Sequence, residues 1–100
     1  MEIKALLMGT SDNVVTCITD VKAGETVAYR KGDNVLSVEA AEDIPYCHKI
    51  ALTDIAEGAD IIKYDESIGK TSRSIRLGCL VDHTNLFSVP RDYDSEMVKA

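Results

Sequence analysis

Short runs of β-favouring residues recur along the chain, separated by turn signals at intervals of about 8 to 12 residues. The runs are IKALLM, NVVTCIT, TVAY, VLSV, KIAL, DIIKY and CLVDH. None of them carries an apolar stripe at the helical spacing of roughly 3.6 residues over several turns. The pattern therefore predicts an all-β domain without a substantial helix.

An eight-residue phrase recurs within this pattern. Its copies are DVKAGETV at 20–27, DIPYCHKI at 43–50, DIAEGADI at 54–61 and SIRLGCLV at 74–81. Each copy starts with a polar residue followed by an apolar one, ends on an apolar residue, and has Gly at its fifth position in three cases. A tight turn that requires a permissive backbone at this position, followed by a strand, explains the form. We expect the starting Asp or Ser to accept hydrogen bonds from the amides that open the same turn.

The second phrase departs from the others, because Cys47 replaces the Gly and His48 follows it. One interpretation is that Cys47 tolerates the turn conformation and that His48 is a residue of the turn without a chemical role. The other is that this copy carries reactive groups. The spacing alone leaves both open.

Length and charge narrow the class of protein. One hundred residues suffice for a single domain, and 45% hydrophobic with 28% charged residues is typical of a globular chain. The net charge of −6 argues against nucleic acid or an acidic membrane surface as a partner. No apolar run approaches the roughly 20 residues of a membrane span, and the start does not resemble a secretory signal. We therefore expect a cytoplasmic protein.

The cysteines indicate the redox state of the compartment, and the end of the chain indicates the domain boundary. Cys17, Cys47 and Cys79 form no C-x-x-C pair and are predicted to be free thiols in a reducing compartment. From residue 90 to residue 100 the alternation of the strands is lost. We therefore predict a domain over residues 1–89 and a C-terminal tail over 90–100.

Two histidines are the first candidates for chemistry. His48 lies in the second phrase, and His83 follows the fourth phrase with Asp82 and Asn85 beside it. Since related phrases lie near one another in a compact β fold, the imidazoles are expected to approach. Imidazole and carboxylate suit a divalent metal and also acid–base catalysis near neutral pH. The alternative is that both histidines are surface residues at strand ends.

Other polar residues offer binding groups. Asp12 and Asn13 either cap backbone amides of their loop or bind sugar hydroxyls. Lys49 and Lys63 stand at strand positions and suit a carboxylate substrate, although a solvated strand face also explains them.

Taken in order, these phrases resemble the SAF domain at the start of altronate and galactarate dehydratases. The run IPYCHKIALTDIAEGADIIKYDESIG is similar to the family's I-P-x-G-H-K-I-A-L, D-I-x-x-G and K-Y-G-x-x-I-G. DNVVT and DHTNL fall where the family has its D-N-V and H-x-H-N phrases. The resemblance spans roughly residues 5 to 87, nearly the whole chain.

The resemblance implies a β-clip fold and a free-standing small subunit that works with a separate, larger catalytic dehydratase subunit. It implies elimination of water from a sugar acid to give a 2-keto-3-deoxy acid, with a divalent metal, iron or manganese, in the complex. A sister group, sulfolactate sulfo-lyase, expels sulfite from a sulfonated hydroxy acid. The chain is expected to be inactive alone.

The family's pattern also assigns residues. His48 and Lys49 match the positions expected to be catalytic, and Asp12, Asn13 and Asn85 match positions expected to bind substrate.

The sequence departs from the family at three places. The Gly before the histidine of G-H-K-I is Cys47, and the Gly of K-Y-G is Asp65. H-x-H-N becomes DHTN, so that His83 falls between the two family histidines. Asp82 is expected to replace one imidazole, which makes Asp82 and His83 the predicted metal ligands of this chain.

Two alternatives remain. A β-clip domain also serves as a non-catalytic carbohydrate-binding or assembly module. Short strands with open edges also favour pairing with a second copy, which predicts a homo-oligomer as an alternative state.

Overall fold

The computed structural model describes residues 2–87, and every regular element in this range is a β-strand. The strands are β1 Ala5–Leu6, β2 Val14–Cys17, β3 Thr26–Lys31, β4 Asn34–Glu39, β5 Lys49–Ala51, β6 Asp60–Lys63, β7 Glu66–Thr71, β8 Leu80–Val81 and β9 Leu86–Phe87. The all-β prediction is confirmed. The predicted tail lies outside the described residues. The described part contains no helix long and apolar enough to cross a membrane.

A four-stranded antiparallel sheet in the order β1-β2-β5-β8 forms the centre of the domain. Because successive residues of a strand point to opposite faces, Val15 and Ile50 lie on one face while Val14 and Ala51 lie on the other. Each face is covered by its own core. The first core cluster contains Ala5, Val15, Cys17, Val21, Val27, Tyr29, Val38, Ala40, Ile44 and Ile50. The second core cluster contains Val14, Ala51, Ile55, Ile61, Ile75 and Val81.

Two smaller sheets complete the fold. β3 and β4 form a hairpin that contributes Val27, Tyr29 and Val38 to the first core cluster. β6, β7 and β9 form a three-stranded sheet that contributes Ile61 to the second core cluster. The central sheet therefore has a different sheet beside each of its faces.

The four phrases make the same turn. Their fifth residues have positive φ angles, which are 88° at Gly24, 69° at Cys47, 79° at Gly58 and 85° at Gly78. In each copy the amide of the sixth residue donates to the carbonyl of the third at 3.0 or 3.1 Å. A four-residue turn in which only the second central residue has positive φ is a type II turn. The predicted requirement for a permissive backbone at the fifth position is confirmed.

The phrases lie in pairs, and this corrects the expectation about their first residues. Val21 and Ile44 form an antiparallel bridge that joins the first two phrases, and Ile55 and Ile75 join the last two. Antiparallel pairing places the start of one phrase against the turn of the other. The starting carboxylates therefore bind the partner phrase's turn and not their own. The bonds run from the Ala23 amide to Asp43, from the Tyr46 amide to Asp20, and from the Leu77 amide to Asp54.

Candidate functional site

The central sheet brings several predicted residues to one end. Lys49 of β5 faces Val81 of β8 in the antiparallel pair. The next residue outward on each chain is His48 on one side and Asp82 on the other, so they come together where the sheet ends. All three polar residues are half-buried. The second and fourth phrases are therefore neighbours, as expected, and Asp82 is the neighbour of His48. The predicted approach of the His48 and His83 imidazoles stays a prediction.

Asp82 is held as an anion by its own loop. Its Oδ1 accepts a hydrogen bond from the Thr84 hydroxyl and one at 2.9 Å from the Thr84 amide. The hydroxyl bond is the main cause that lowers the pKa of Asp82, and the charges of His83 and His48 lower it further against the opposing effect of burial. A carboxylate fixed in this way can orient or stabilise a neighbouring imidazolium.

His48 is oriented by the turn that precedes it. Its Nδ1 lies 3.1 Å from the Tyr46 carbonyl oxygen. If Nδ1 carries the proton and donates to this oxygen, Nε2 is left as the acceptor that a general base needs. The peptide carbonyl of His48 accepts the Cys17 amide at 2.8 Å, which ties this residue to β2. The backbone at His48 is therefore fixed while the ring remains accessible.

Lys49 and Lys63 stand beside the second core cluster. Lys49 shares a face of β5 with Ala51, and Lys63 shares a face of β6 with Ile61. Ala51 and Ile61 both belong to the second core cluster, so the two lysines lie at the edge of the same apolar region. Burial lowers the pKa of Lys49, and the charge of Lys63 lowers it further, while Asp82 acts in the opposite direction. The two ammonium groups are thus electrostatically coupled.

Asp12 binds backbone amides. Its Oδ1 accepts the Asp65 amide at 2.8 Å, and its Oδ2 accepts the Gly9 amide at 2.9 Å and the Tyr64 amide at 3.1 Å. The carboxylate thereby joins the loop before β2 to the hairpin between β6 and β7. A role in binding substrate stays a prediction for this residue.

The two predicted asparagines also use their side chains on the backbone. Asn13 accepts the Ile62 amide at 2.8 Å and donates to the Asp60 carbonyl at 3.0 Å. Asn85 accepts the Asp82 amide at 2.9 Å and donates to the Leu80 carbonyl at 2.7 Å. The first asparagine connects the central sheet to β6, and the second shapes the loop that carries Asp82. Their predicted contact with substrate remains a prediction.

The predicted metal ligands do not form a complete metal centre. Within residues 2–87, no three His, Cys, Asp or Glu side chains converge on a point where they could hold an ion. Oδ1 of Asp82 is already engaged by Thr84, and His83 is exposed. This part of the chain therefore does not fit a metal by itself, and ligation by Asp82 and His83 stays a prediction that needs further ligands from outside residues 2–87.

Sequence reasoning did not single out Thr16. Thr16 faces Lys49 across the β2–β5 pair. Its Oγ1 is buried and has no hydrogen-bond partner among the described residues. The alternation of β2 alone places this threonine on the face of Val14, but only the strand register shows that it adjoins Lys49.

Comparison with known proteins identifies the domain. Residues 3–89 match the family model described as the altronate/galactarate dehydratase SAF domain. The chain is 40% identical over 68 residues to altronate dehydratase of Bacillus subtilis and 37% identical over 83 residues to altronate dehydratase of Escherichia coli. It is 34% identical over 77 residues to the (2R)-sulfolactate sulfo-lyase subunit alpha of Chromohalobacter salexigens.

The matches differ in how much of each relative they cover. They take in 67% and 83% of this chain but only 13% and 16% of the Bacillus and Escherichia dehydratases. The match to the sulfo-lyase subunit takes in 75% of this chain and 79% of that subunit. The resemblance read from the ordered sequence phrases is confirmed. The chain belongs to the altronate/galactarate dehydratase SAF-domain family.

Proposed function

We propose that this chain acts as the small subunit of a lyase that eliminates a leaving group from a hydroxy acid, in a site completed by a separate large subunit. The observation that carries the proposal is the meeting of His48, Lys49 and Asp82 at one end of the central sheet. This arrangement combines a base, a cation and an anion on adjacent strand ends. The similarity to 79% of a protein named as a subunit supports a subunit role.

The proposed reaction begins with loss of the proton on the carbon beside the substrate carboxylate. His48 Nε2 accepts this proton, and Lys49 stabilises the negative charge that develops on the carboxylate oxygens. Asp82 stabilises the resulting imidazolium. The electron pair of the broken C–H bond forms a carbon–carbon double bond, and the leaving group departs from the adjacent carbon with its bonding electrons. The enol then takes up a proton on carbon and becomes a 2-keto acid.

The leaving group distinguishes the two versions of this proposal. In a sugar-acid dehydratase of the altronate or galactarate type, hydroxide departs, takes up a proton and leaves as water, giving a 2-keto-3-deoxy acid. In a sulfolactate sulfo-lyase, the carbon–sulfur bond breaks and sulfite departs. The family match favours the first version, while the extent of the match to the sulfo-lyase subunit favours the second.

A divalent metal, iron or manganese, fits this chemistry because it would stabilise an enediolate. Residues 2–87 do not supply three ligands, so we propose that the large subunit provides most of them. The residues of this chain then serve to bind the substrate and to move the proton.

Co-production with a large dehydratase or sulfo-lyase subunit tests the proposal. The purified complex is incubated with altronate, galactarate and sulfolactate in the presence of Fe²⁺ or Mn²⁺, and both 2-keto acid and sulfite are measured. We expect one substrate to be converted only when both chains are present. Sulfite release identifies the sulfo-lyase version. A stable complex that converts none of these acids would contradict the proposal and favour the non-catalytic module.

A further inference from the structure

Lys49 and Lys63 are half-buried side chains beside the second core cluster. Within residues 2–87 neither of them has a carboxylate at ion-pair distance. The ion pairs in this range are made by other lysines, namely Lys4, Lys22 and Lys70. The charge of Lys63 acts against that of Lys49, which is partly removed from water, and Asp82 only partly offsets this repulsion. An anion bound between them removes this repulsion.

A third polar group lies in the same place. The Thr16 hydroxyl, opposite Lys49 on the same face of the sheet, has no hydrogen-bond partner among the described residues. A buried hydroxyl without a partner is unfavourable, and an oxyanion provides the acceptor that it lacks. Both observations indicate a ligand that carries negatively charged oxygen atoms.

We propose that Lys49 and Lys63 together form a subsite that binds one oxyanion group of the substrate, with Asp12 as the residue that positions Lys63. This inference rests on the proposed function, because it gives the lysines a substrate to bind. It adds Lys63, and it assigns Asp12 a role that does not involve substrate contact.

The positioning role follows from the hairpin that holds Lys63. Lys63 pairs with Glu66, and the two residues between them, Tyr64 and Asp65, have φ angles of 57° and 60°. Positive φ at both central residues defines a type I′ turn, which favours Asn and Gly and is strained for tyrosine. The three amide bonds of Asp12, two of them from this turn, compensate for that strain.

The same turn fixes the lysine itself. Lys63 Nζ lies 5.5 Å from the centre of the Tyr64 ring, where the aromatic face attracts the cation. A side-chain carbon at Gly9 would collide with Asp65, so the loop and the hairpin pack closely. Asp12 therefore acts on the proposed subsite through the turn that carries Lys63.

The chemistry of lysine sets the class of ligand. A lysine ammonium is a point charge with rotatable donors, and it does not impose the planar, two-point geometry that arginine imposes on a carboxylate. A pair of lysines therefore accepts a planar carboxylate or a tetrahedral sulfonate. This tolerance is consistent with a family whose members are named for sugar acids and for sulfolactate.

Ligand titration of the full chain, without the large subunit, tests the subsite. Sodium galactarate and sodium sulfolactate are added in separate series, and the NMR signals of the lysine ε-methylene groups are followed. We expect the Lys49 and Lys63 signals to shift together and to saturate. Lys63→Gln should weaken binding about tenfold. Lys70→Gln removes the same charge from a lysine paired with Asp60 and should leave the affinity unchanged. Equal affinity of wild type and Lys63→Gln, or no shift of either lysine, would overturn the subsite.

The positioning role needs a rescue experiment. Asp12→Asn should weaken binding nearly as much as Lys63→Gln. Adding Asp65→Asn to Asp12→Asn should restore part of the affinity, because Asn suits the positive φ of a type I′ turn and its side-chain oxygen still accepts the Ser11 amide. Wild-type affinity in Asp12→Asn, or failure of the double variant to recover, would overturn this role. Binding without turnover in the complex rejects the proposed function alone, whereas turnover with no effect of Lys63→Gln rejects the subsite alone.

Discussion

Asp20 and Asp43 exchange hydrogen bonds between two turns. Asp20 accepts the Tyr46 amide at 2.8 Å, and Asp43 accepts the Ala23 amide at 2.9 Å. Each aspartate begins a phrase and binds the fourth residue of the other phrase. These two hydrogen bonds join the first two phrases, whose Val21 and Ile44 belong to the first core cluster. They therefore fix the position of the phrase that contains His48.

In the second pair of phrases, only one of the two starting residues binds the turn of the other phrase. Asp54 accepts the Leu77 amide at 2.8 Å, but in the described part of the chain Ser74 returns no such bond to the Glu57 amide. Ser74→Asp should supply the missing acceptor and stabilise the domain by about 1 kcal/mol. Thermal and urea unfolding would measure the gain. Ser74→Asn, which offers the oxygen without the charge, should give part of this gain in stability. A loss of stability in both variants would show that residue 74 cannot bind the turn of the third phrase as Asp54 binds that of the fourth.

Replacing Gly78 or Gly58 by alanine should destabilise the domain by different amounts. A side-chain carbon at Gly78 would overlap with the Glu39 carbonyl oxygen, whereas one at Gly58 would have no neighbour within 4 Å. Both glycines have positive φ, so each Ala variant carries a backbone cost of about 1 kcal/mol. Gly78→Ala should lose about 3 kcal/mol in total because the clash is added. Similar unfolding free energies for the two Ala variants would show that the contact with Glu39 is wrong.

The backbone of Cys47 is also strained, because a residue with a side chain has a positive φ angle there. Its φ angle is 69°, at the position where the other three phrases have Gly. Cys47→Gly should therefore stabilise the domain by about 1 kcal/mol, as seen in the midpoint of denaturant unfolding. Cys47→Ser keeps the Cβ and should leave stability unchanged. If Cys47→Gly destabilises the domain relative to Cys47→Ser, the strain account fails.

Much of this fold could be predicted from the sequence because it depends on local rules. The turn at each phrase needs Gly at one position, and this requirement is visible in three of the four copies. The destination of each starting carboxylate could not be predicted, because it depends on which phrases pair. β7 was missed because ESIGKT lacks a run of β-favouring residues; Gly69 in it permits a close approach by the Phe87 backbone.

The candidate site could likewise be predicted from the sequence only in part. That related phrases lie near one another in a compact fold predicts the pairing of the second and fourth phrases, but only the strand register shows that His48 adjoins Asp82. The bonds of Asp12 and Asn13 to the β6–β7 hairpin could not be predicted, since their partners lie about 50 residues later in the chain. The coupling of Lys63 to Lys49 likewise depends on two strands meeting at one core.

Alkaline pH should destabilise the domain through Cys17. Burial raises the pKa of this thiol from 9.0 to about 11. Below pH 9 the thiol is protonated in both states, while between pH 9 and about 11 the unfolded chain loses the proton that the folded chain retains. Deprotonation thus favours the unfolded state, and the free energy of unfolding should fall across this window. Cys17→Ala should reduce the slope; an unchanged slope would show that the thiol does not contribute.

The most direct test of the central claim is the turnover of the complex that contains His48→Ala. The variant is co-produced with the proposed large subunit, and its thermal unfolding and its co-elution with that subunit serve as controls for folding and assembly. Tyr46→Phe, which removes only the hydroxyl of an exposed side chain in the same phrase, serves as the matched control for activity. The account predicts normal folding and assembly for His48→Ala, with 2-keto acid formation reduced at least about 100-fold. Keto acid formation at the wild-type rate in this complex would contradict it.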